Sequence, residues 1–360
     1  MGRKARPIQA NKMRDITIYI SKKINLMPTF CRSIMRIFNL RKSFLVFSLV
    51  GLLGNFLIVN APNNHIYATD IPIPHVKNTA KSQLSATNIP TRYVESDGHN
   101  FAYRILGSGR PLLLIQRLRG TMDDWDPLFL ERLAQKHQVI VFNNTGISSS
   151  NGKVPSTITD MAVDAEHFVK ALGYEQVDIL GWSLGGMVAQ TMAIKYPKLI
   201  RRAILVASTP PGNPEFVPVS QGFKDVAVKE NYTDEDHLKM FFADSSSSRK
   251  LGLESLQRIK KRTTDIDPPV STDSWKTQFS AAIGWFENKE NYFEKLKLVQ
   301  QPVLIATGKY DIALPIQNSY VLERETSNAQ LMIYPDSAHG FHHQFPIQFG
   351  DAVNNFLAQE

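Results

Sequence analysis

One serine stands in a setting that could make it a nucleophile. Gly181-Trp182-Ser183-Leu184-Gly185 fits the pattern G-x-S-x-G, directly after the run Val177-Asp178-Ile179-Leu180 and before a helical segment from about Gly186 to Tyr196. A strand that turns sharply into a helix projects the hydroxyl at the turn, and flanking glycines remove side chains that would clash there. A serine hydroxyl is a weak nucleophile near neutral pH, so it needs a base to take its proton and an acid to orient that base. Both stand downstream, each just past a strand-like run. Asp311 follows Val303–Ala306, 128 residues beyond Ser183, and His339 follows Leu331–Tyr334, 28 residues beyond Asp311. Such a set would do acyl chemistry: Ser183 attacks a carbonyl, His339 takes and returns the proton, and Asp311 holds the imidazolium.

Other residues compete for these roles. Asp178 precedes the serine turn, while Asp336, His342 and His343 lie close to His339; Asp336 reads as a turn residue. A metal on His339, His342 and His343 is not expected, because no carboxylate-rich motif accompanies them and a serine mechanism needs no ion. No cofactor is expected either. The single cysteine, Cys31, leaves no thiol for catalysis, metal binding or a disulfide in the rest of the chain.

The elements that must position these residues alternate along the chain. Phe101–Leu106, Leu112–Ile115, Val139–Phe142, Val177–Leu180, Ala203–Val206, Val303–Ala306 and Leu331–Tyr334 are apolar runs bounded by Gly, Pro, Asn or Ser. Runs of this kind suit strands buried on both faces. Between them Met161, Ala165, Phe168, Val169 and Leu172 recur at helical spacing before Gly173, so an α/β architecture with a mostly parallel sheet covered by helices is expected. One interval breaks the rhythm. From about 209 to 298 the chain opens on Thr209-Pro210-Pro211-Gly212-Asn213-Pro214 and continues with amphipathic stretches that include Leu238, Phe241, Leu256, Trp275, Phe279, Ile283 and Trp285. It reads as an inserted helical cap. Its basic run Arg258, Lys260, Lys261 and Arg262 reads as a solvated helix face, and Ser245–Ser248 as a surface loop.

The order Ser, Asp, His on successive strand ends is that of the α/β-hydrolase superfamily, and from about Thr91 to Glu360 the chain resembles it. Gly181 to Gly186 is similar to the serine turn of small capped carboxylesterases, haloperoxidase-like enzymes and enol-lactone hydrolases. The resemblance implies an oxyanion hole of two backbone N–H groups, one from Leu184 after the nucleophile and one from Leu118 in the loop after Leu112–Ile115. That loop, Gln116-Arg117-Leu118-Arg119-Gly120, departs from the superfamily's usual His-Gly-x-x-Gly. Arg117 and Arg119 are expected to face solvent, with recognition of a substrate carboxylate as the alternative. Asn143-Asn144-Thr145-Gly146 stands where relatives carry an Asp and an Arg, a change expected to affect loop support rather than chemistry. A serine in place of an aspartate disfavours dehalogenase and epoxide-hydrolase chemistry. The implied activity is cleavage of a carboxylic ester, thioester or lactone through an acyl-enzyme, with acyl transfer or perhydrolysis as variants and a catalytically silent binding protein as the competing class. The apolar cap suggests an apolar or amphipathic acyl substrate.

The charge is unevenly placed. The chain of 360 residues carries 41 Lys and Arg against 33 Asp and Glu, but residues 1–68 hold eleven of the basic residues and one acid, Asp15, leaving 30 against 32. A nucleic-acid partner is therefore not expected, since duplex binding needs basic charge on the folded surface. Phe44 to Val59 is a run of sixteen largely apolar residues preceded by Arg36, Arg41 and Lys42, the order of an export signal. Residues 1–68 read as that signal, cleaved after Ala68, or as an uncleaved signal-anchor that would give the only membrane contact. Met13, Met27 and Met35 are alternative starts. Residues 69–90 read as a linker, and the folded part, 91–360, is expected outside the membrane, periplasmic or secreted.

Overall fold

The computed structural model describes residues 65–67 and 85–359; most of the expected signal and linker lies outside them. Nine strands form one sheet: β1 (His65–Tyr67), β2 (Arg92–Ser96), β3 (His99–Leu106), β4 (Arg110–Ile115), β5 (His137–Phe142), β6 (Val177–Trp182), β7 (Ile200–Val206), β8 (Val303–Gly308) and β9 (Ala329–Tyr334). Their spatial order is β1-β9-β8-β7-β6-β4-β5-β3-β2. Only β3 runs against its neighbours, pairing antiparallel with β2 and β5. All seven apolar runs are strands. The sequence reading missed β2, whose residues alternate between exposed and half-buried at the sheet edge, and also β1, which pairs in parallel with β9 although it lies within the expected signal segment.

Period-two alternation sorts each inner strand onto two cores. Leu113, Ile115 and Ile179 point to one face with α2 (Ile158–Ala171) and α3 (Leu184–Lys195), whereas Leu112, Leu114, Leu180 and Trp182 point to the other with α1 (Pro127–Ala134) and α10 (Pro346–Ala358). The parallel strands end nearly level. Ile115 stands opposite Gly181, Trp182 opposite Val206, Val206 opposite Ala306, and Gly308 opposite Tyr334. The loops that follow β4, β6, β7, β8 and β9 are thereby gathered at one end of the sheet.

The long interval between β7 and β8 folds as helices α4 (Gln221–Ala227), α5 (Asp234–Phe241), α6 (Ser246–Ile259) and α7 (Thr272–Phe286), with a 3-10 turn at Glu294–Leu298; α8 (Ile316–Glu325) and the short α9 (Phe341–Gln344) follow later. Two expectations fail here. Ser245–Ser248 is no surface loop: Ser245 caps the start of α6, and the buried Ser248 hydroxyl donates to Gln344 Oε1 at 2.7 Å. The basic run is a solvated face only at Lys260 and Lys261, which are exposed, whereas Arg258 and Arg262 turn inward. Arg258 reaches both oxygens of the buried Asp126 at 2.7–3.0 Å, Arg262 is buried 3.3 Å from Asp123, and Lys260 pairs with Asp234 at 2.7 Å. Arg258 turns inward because Asp126, buried at the start of α1, would otherwise lack a counter-charge, and Arg262 joins Arg104 on Asp123 in the turn before it.

Asp126 does three tasks at once. It caps α1 through Leu128 N at 3.0 Å, accepts from Ser255 Oγ at 2.6 Å, and pairs with Arg258. Removing one partner of such a pair and a helix cap together destabilises. Asp126→Ala is expected to cost about 3 kcal/mol or more in urea denaturation, against less than about 1 kcal/mol for the exposed pair Lys260–Asp234 when Lys260→Ala is measured in parallel.

Candidate active site

Ser183 occupies the turn between β6 and α3 with φ 56° and ψ −115°, a conformation that costs a non-glycine residue about 1–3 kcal/mol. The neighbouring backbone holds it there. Its N–H donates to Val206 O at 2.8 Å, and its carbonyl accepts from Gly186 N at 2.9 Å and Ser208 Oγ at 3.0 Å. Glycine is required on both sides for reasons of distance. A Cβ on Gly181 would sit 2.1 Å from Gly185 O, and one on Gly185 would sit 2.2 Å from Ile115 O. Between residues 181 and 190 only Ser183 is not fully buried, which leaves its hydroxyl the accessible group of the turn.

The loops after β8 and β9 are zipped together by Lys309 N to Tyr334 O at 2.9 Å and Tyr310 N to Ser337 O at 2.8 Å. This pairing brings Asp311 against His339, Oδ2 to Nδ1, at 2.7 Å, with both side chains buried. The other Asp311 oxygen accepts from Ala313 N and Leu314 N, each at 2.8 Å. A carboxylate can only accept, so Nδ1–H donates, and in the neutral ring this tautomer leaves the lone pair on Nε2. The indole of Trp182, adjacent to Ser183, donates to His339 O at 3.0 Å, which ties the histidine loop to the serine turn. Among the described residues Ser183 Oγ has no hydrogen-bond partner; such bonds commonly tighten only when substrate binds.

The other sequence candidates fall elsewhere. Asp178 is buried and bound twice by Arg201, at 2.7 and 2.8 Å. Asp336 takes φ 46° in its turn and accepts from Ser245 and Ser247. His342 and His343 are fully buried, packed on the Trp182 ring at 4.3 and 4.9 Å between centroids. Leu184 N is the first amide of α3, and neither it nor Leu118 N donates to an acceptor among the described residues. Asn143 gives Nδ2 to Asp267 at 2.7 Å and accepts from Met122 N at 2.9 Å.

The two arginines of the β4 loop do not face solvent. Arg117 is buried over the rings of Trp182 and Phe241, at 5.2 and 4.8 Å, and bonds Leu118 O at 2.9 Å and Asp124 at 3.0 Å. Arg119, at φ 61°, is spent on the cap. Its guanidinium donates to Ala227 O, Lys229 O, Glu230 O and Tyr232 Oη, and lies over Tyr232 and Trp275. Charge desolvated in a narrow loop is retained only with such partners. A pocket of about 170 Å³ lies between the start of α2 and the end of α7, lined by Thr157, Thr159, Trp285 and Tyr292 among others, and includes none of Ser183, Asp311 or His339.

A serine at a strained strand-to-helix turn, with an acid and histidine bonded on the loops of two later strands, defines a protein of α/β-hydrolase type. A family model described as alpha/beta hydrolase fold matches residues 110–346, and the chain belongs to that family. An alpha/beta hydrolase fold protein from Chitinophaga pinensis superposes with a TM-score of 0.71 at 37% identity, covering 77% of this chain and 100% of that one. A non-heme haloperoxidase of Rhodococcus erythropolis is 28% identical over 266 residues, 68% of this chain and 91% of its own. A 2-hydroxymuconate semialdehyde hydrolase of a Pseudomonas species is 25% identical over 259 residues, 70% of this chain and 88% of its own. Family and relatives support an enzyme of hydrolase type.

Two outcomes follow from this geometry. Gly185→Ala forces α3 off β4 and is expected to cost about 3 kcal/mol or more, whereas Gly284→Ala, on α7 with nothing within 4 Å of the new Cβ, should be neutral or stabilise by up to about 1 kcal/mol; urea midpoints measure both. The second concerns acid. Burial holds His237 and His342 neutral well below the usual histidine value and pushes His343 down to about 3, helped by Arg117 beside His237 and His343 and by His343 beside His342. The unfolded chain binds protons that the fold excludes, so stability is full above about pH 6.5 and falls as pH drops, by up to about 1.4 kcal/mol per unit for each histidine. Urea titrations should show stability falling from pH 7 to 5, with the buried His137 adding to the fall, and His343→Phe should flatten it by up to about one proton.

Proposed function

We propose that the chain is a serine hydrolase in which Ser183 forms an acyl-enzyme on a carboxylic ester, thioester or lactone. The observation that carries this reading is the buried Asp311–His339 hydrogen bond of 2.7 Å on the loops beside the Ser183 turn. His339 Nε2 takes the serine proton as the hydroxyl attacks and gives it to the leaving alcohol or thiol; it then takes a proton from the water that attacks the acyl group and returns it to Ser183 Oγ as the acyl–serine bond breaks. Leu118 N–H and Leu184 N–H hold the developing oxyanion. Asp311, fixed by two amides on its second oxygen, keeps the imidazole in the tautomer that leaves Nε2 free.

An apolar or amphipathic acyl group suits the wall beside the base, where the Phe241 ring lies nearly parallel to His339 at 6.0 Å between centroids. Most of the other cap residues that suggested such a substrate pack the cap: Leu238, Leu256, Trp275 and Trp285 are buried. The basic residues and the apolar run at 44–59 support export of this domain, by a cleaved signal or an uncleaved anchor. The similarity to a haloperoxidase keeps perhydrolysis as a second use of the same acyl-enzyme, with peroxide in the place of water.

Initial rates on p-nitrophenyl esters of C2 to C12 acids test the reading. Turnover with an optimum above C2 is expected for the native chain, and Ser183→Ala should lose at least about 10³-fold in kcat while unfolding at the same urea concentration. A folded Ser183→Ala with native turnover would remove the assignment.

A further inference from the structure

The loop that would supply the Leu118 amide is held from both sides of one peptide group. The carbonyl of Leu118 accepts from Arg117 Nη1 at 2.9 Å, and the N–H of the same peptide, that of Arg119, donates to Gln278 Oε1 at 2.9 Å. Gln278 stands on α7 in the cap and is wholly buried. Its Nε2 has no partner, so the bond to Arg119 is the one hydrogen bond its side chain makes among the described residues. Arg119 then carries the tie further into the cap through three backbone carbonyls between residues 227 and 230, the Tyr232 hydroxyl, and the flanking rings of Tyr232 and Trp275.

Fixing that peptide plane fixes ψ of Leu118, and the left-handed φ of 61° at Arg119 fixes where the chain goes next. Gln116 closes the other end, its Oε1 accepting from Arg117 N at 2.9 Å and its Nε2 donating to Thr121 O at 2.9 Å. The peptide that carries the Leu118 N–H thus lies between two clamps, one built from the loop itself and one built from the cap.

We propose that Gln278 and Arg119 are positioning residues through which the seated cap sets the Leu118 oxyanion donor. The proposal rests on the serine-hydrolase reading. Neither residue touches the substrate carbonyl; both hold the backbone that does. A donor displaced by about 1 Å loses much of its value to a transition state while hardly altering ground-state binding, so the effect falls on kcat and not on KM.

The test compares the native chain with Gln278→Leu, Gln278→Glu and Arg119→Lys on p-nitrophenyl butyrate and on its thionoester, with thermal melting as the check on folding. Sulfur in place of the carbonyl oxygen accepts hydrogen bonds poorly, so a defect in oxyanion placement slows the oxygen ester and spares the thionoester. Gln278→Leu should lower kcat on the oxygen ester by about 10- to 100-fold with KM within about 3-fold, and should lower the oxygen-to-thiono rate ratio to match. Gln278→Glu, which keeps the acceptor for Arg119 N–H, should recover most of that ratio. If Gln278→Leu does not fold, Arg119→Lys gives the same reading through the other half of the clamp. Folded variants that keep the native ratio, or that slow both substrates equally, overturn the proposal. A native chain without Ser183-dependent turnover fails at the earlier step and removes the hydrolase reading and this proposal together.

Discussion

The site depends on one backbone constraint, the left-handed turn at Ser183. An L-residue there is strained, and the strain persists only where surrounding contacts over-determine it. Here four hydrogen bonds act on the serine backbone, from Gly186 N, Met187 N and Ser208 Oγ and to Val206 O, and α3 approaches so closely that Gly181 and Gly185 have no room for a side-chain carbon. The register of β6 between β4 and β7 fixes how far the turn stands above the sheet. The same register sets the ends of β8 and β9, whose following loops carry Asp311 and His339.

The cap is attached by a different kind of interaction. Arg258 and Arg262 enter from α6 and its end to meet Asp126 and Asp123, and Asp267 accepts from Asn143 on the sheet side. Ion pairs taken out of water return little net stability, because desolvation offsets the Coulomb gain. What they do supply is orientation, since each fork has one geometry that satisfies it. That suits a helical layer which must sit over the strand ends in one register, where apolar packing alone tolerates sliding.

Much of this was legible in the sequence, for identifiable reasons. The inner strands are buried on both faces and therefore appear as continuous apolar runs, and Ser183, Asp311 and His339 each follow such a run directly. Strand β2 gives no such signal, since its edge position leaves it half exposed; the Asp97-Gly98 pair that turns it into β3, both residues at positive φ, was the cue available. The basic run was misread because its partners stand 132 and 139 residues earlier in the chain, a separation that composition and periodicity do not register. Arg117 and Arg119 were misread for the same reason. Apart from Asp124 and the Tyr232 hydroxyl, their partners are ring faces and backbone carbonyls, most of which only the fold brings near.

Contacts from the cap reach the candidate site's loops at two points that lie far apart in sequence. Phe241, at the end of α5, stacks near the His339 ring, and its carbonyl accepts from Gly340 N at 2.7 Å, so the histidine loop is bonded to the cap at the residue after His339. Gln278, on α7, holds the loop after β4. The sheet fixes the serine and the acid by register, but the imidazole and the amide loop opposite it each take one of their constraints from the inserted helices. A cap that covered the pocket alone would need no hydrogen bonds to these loops. Its carbonyl at Phe241 and amide oxygen at Gln278 are spent on the backbone N–H groups of Gly340 and Arg119, which makes the insertion part of the frame that holds both loops.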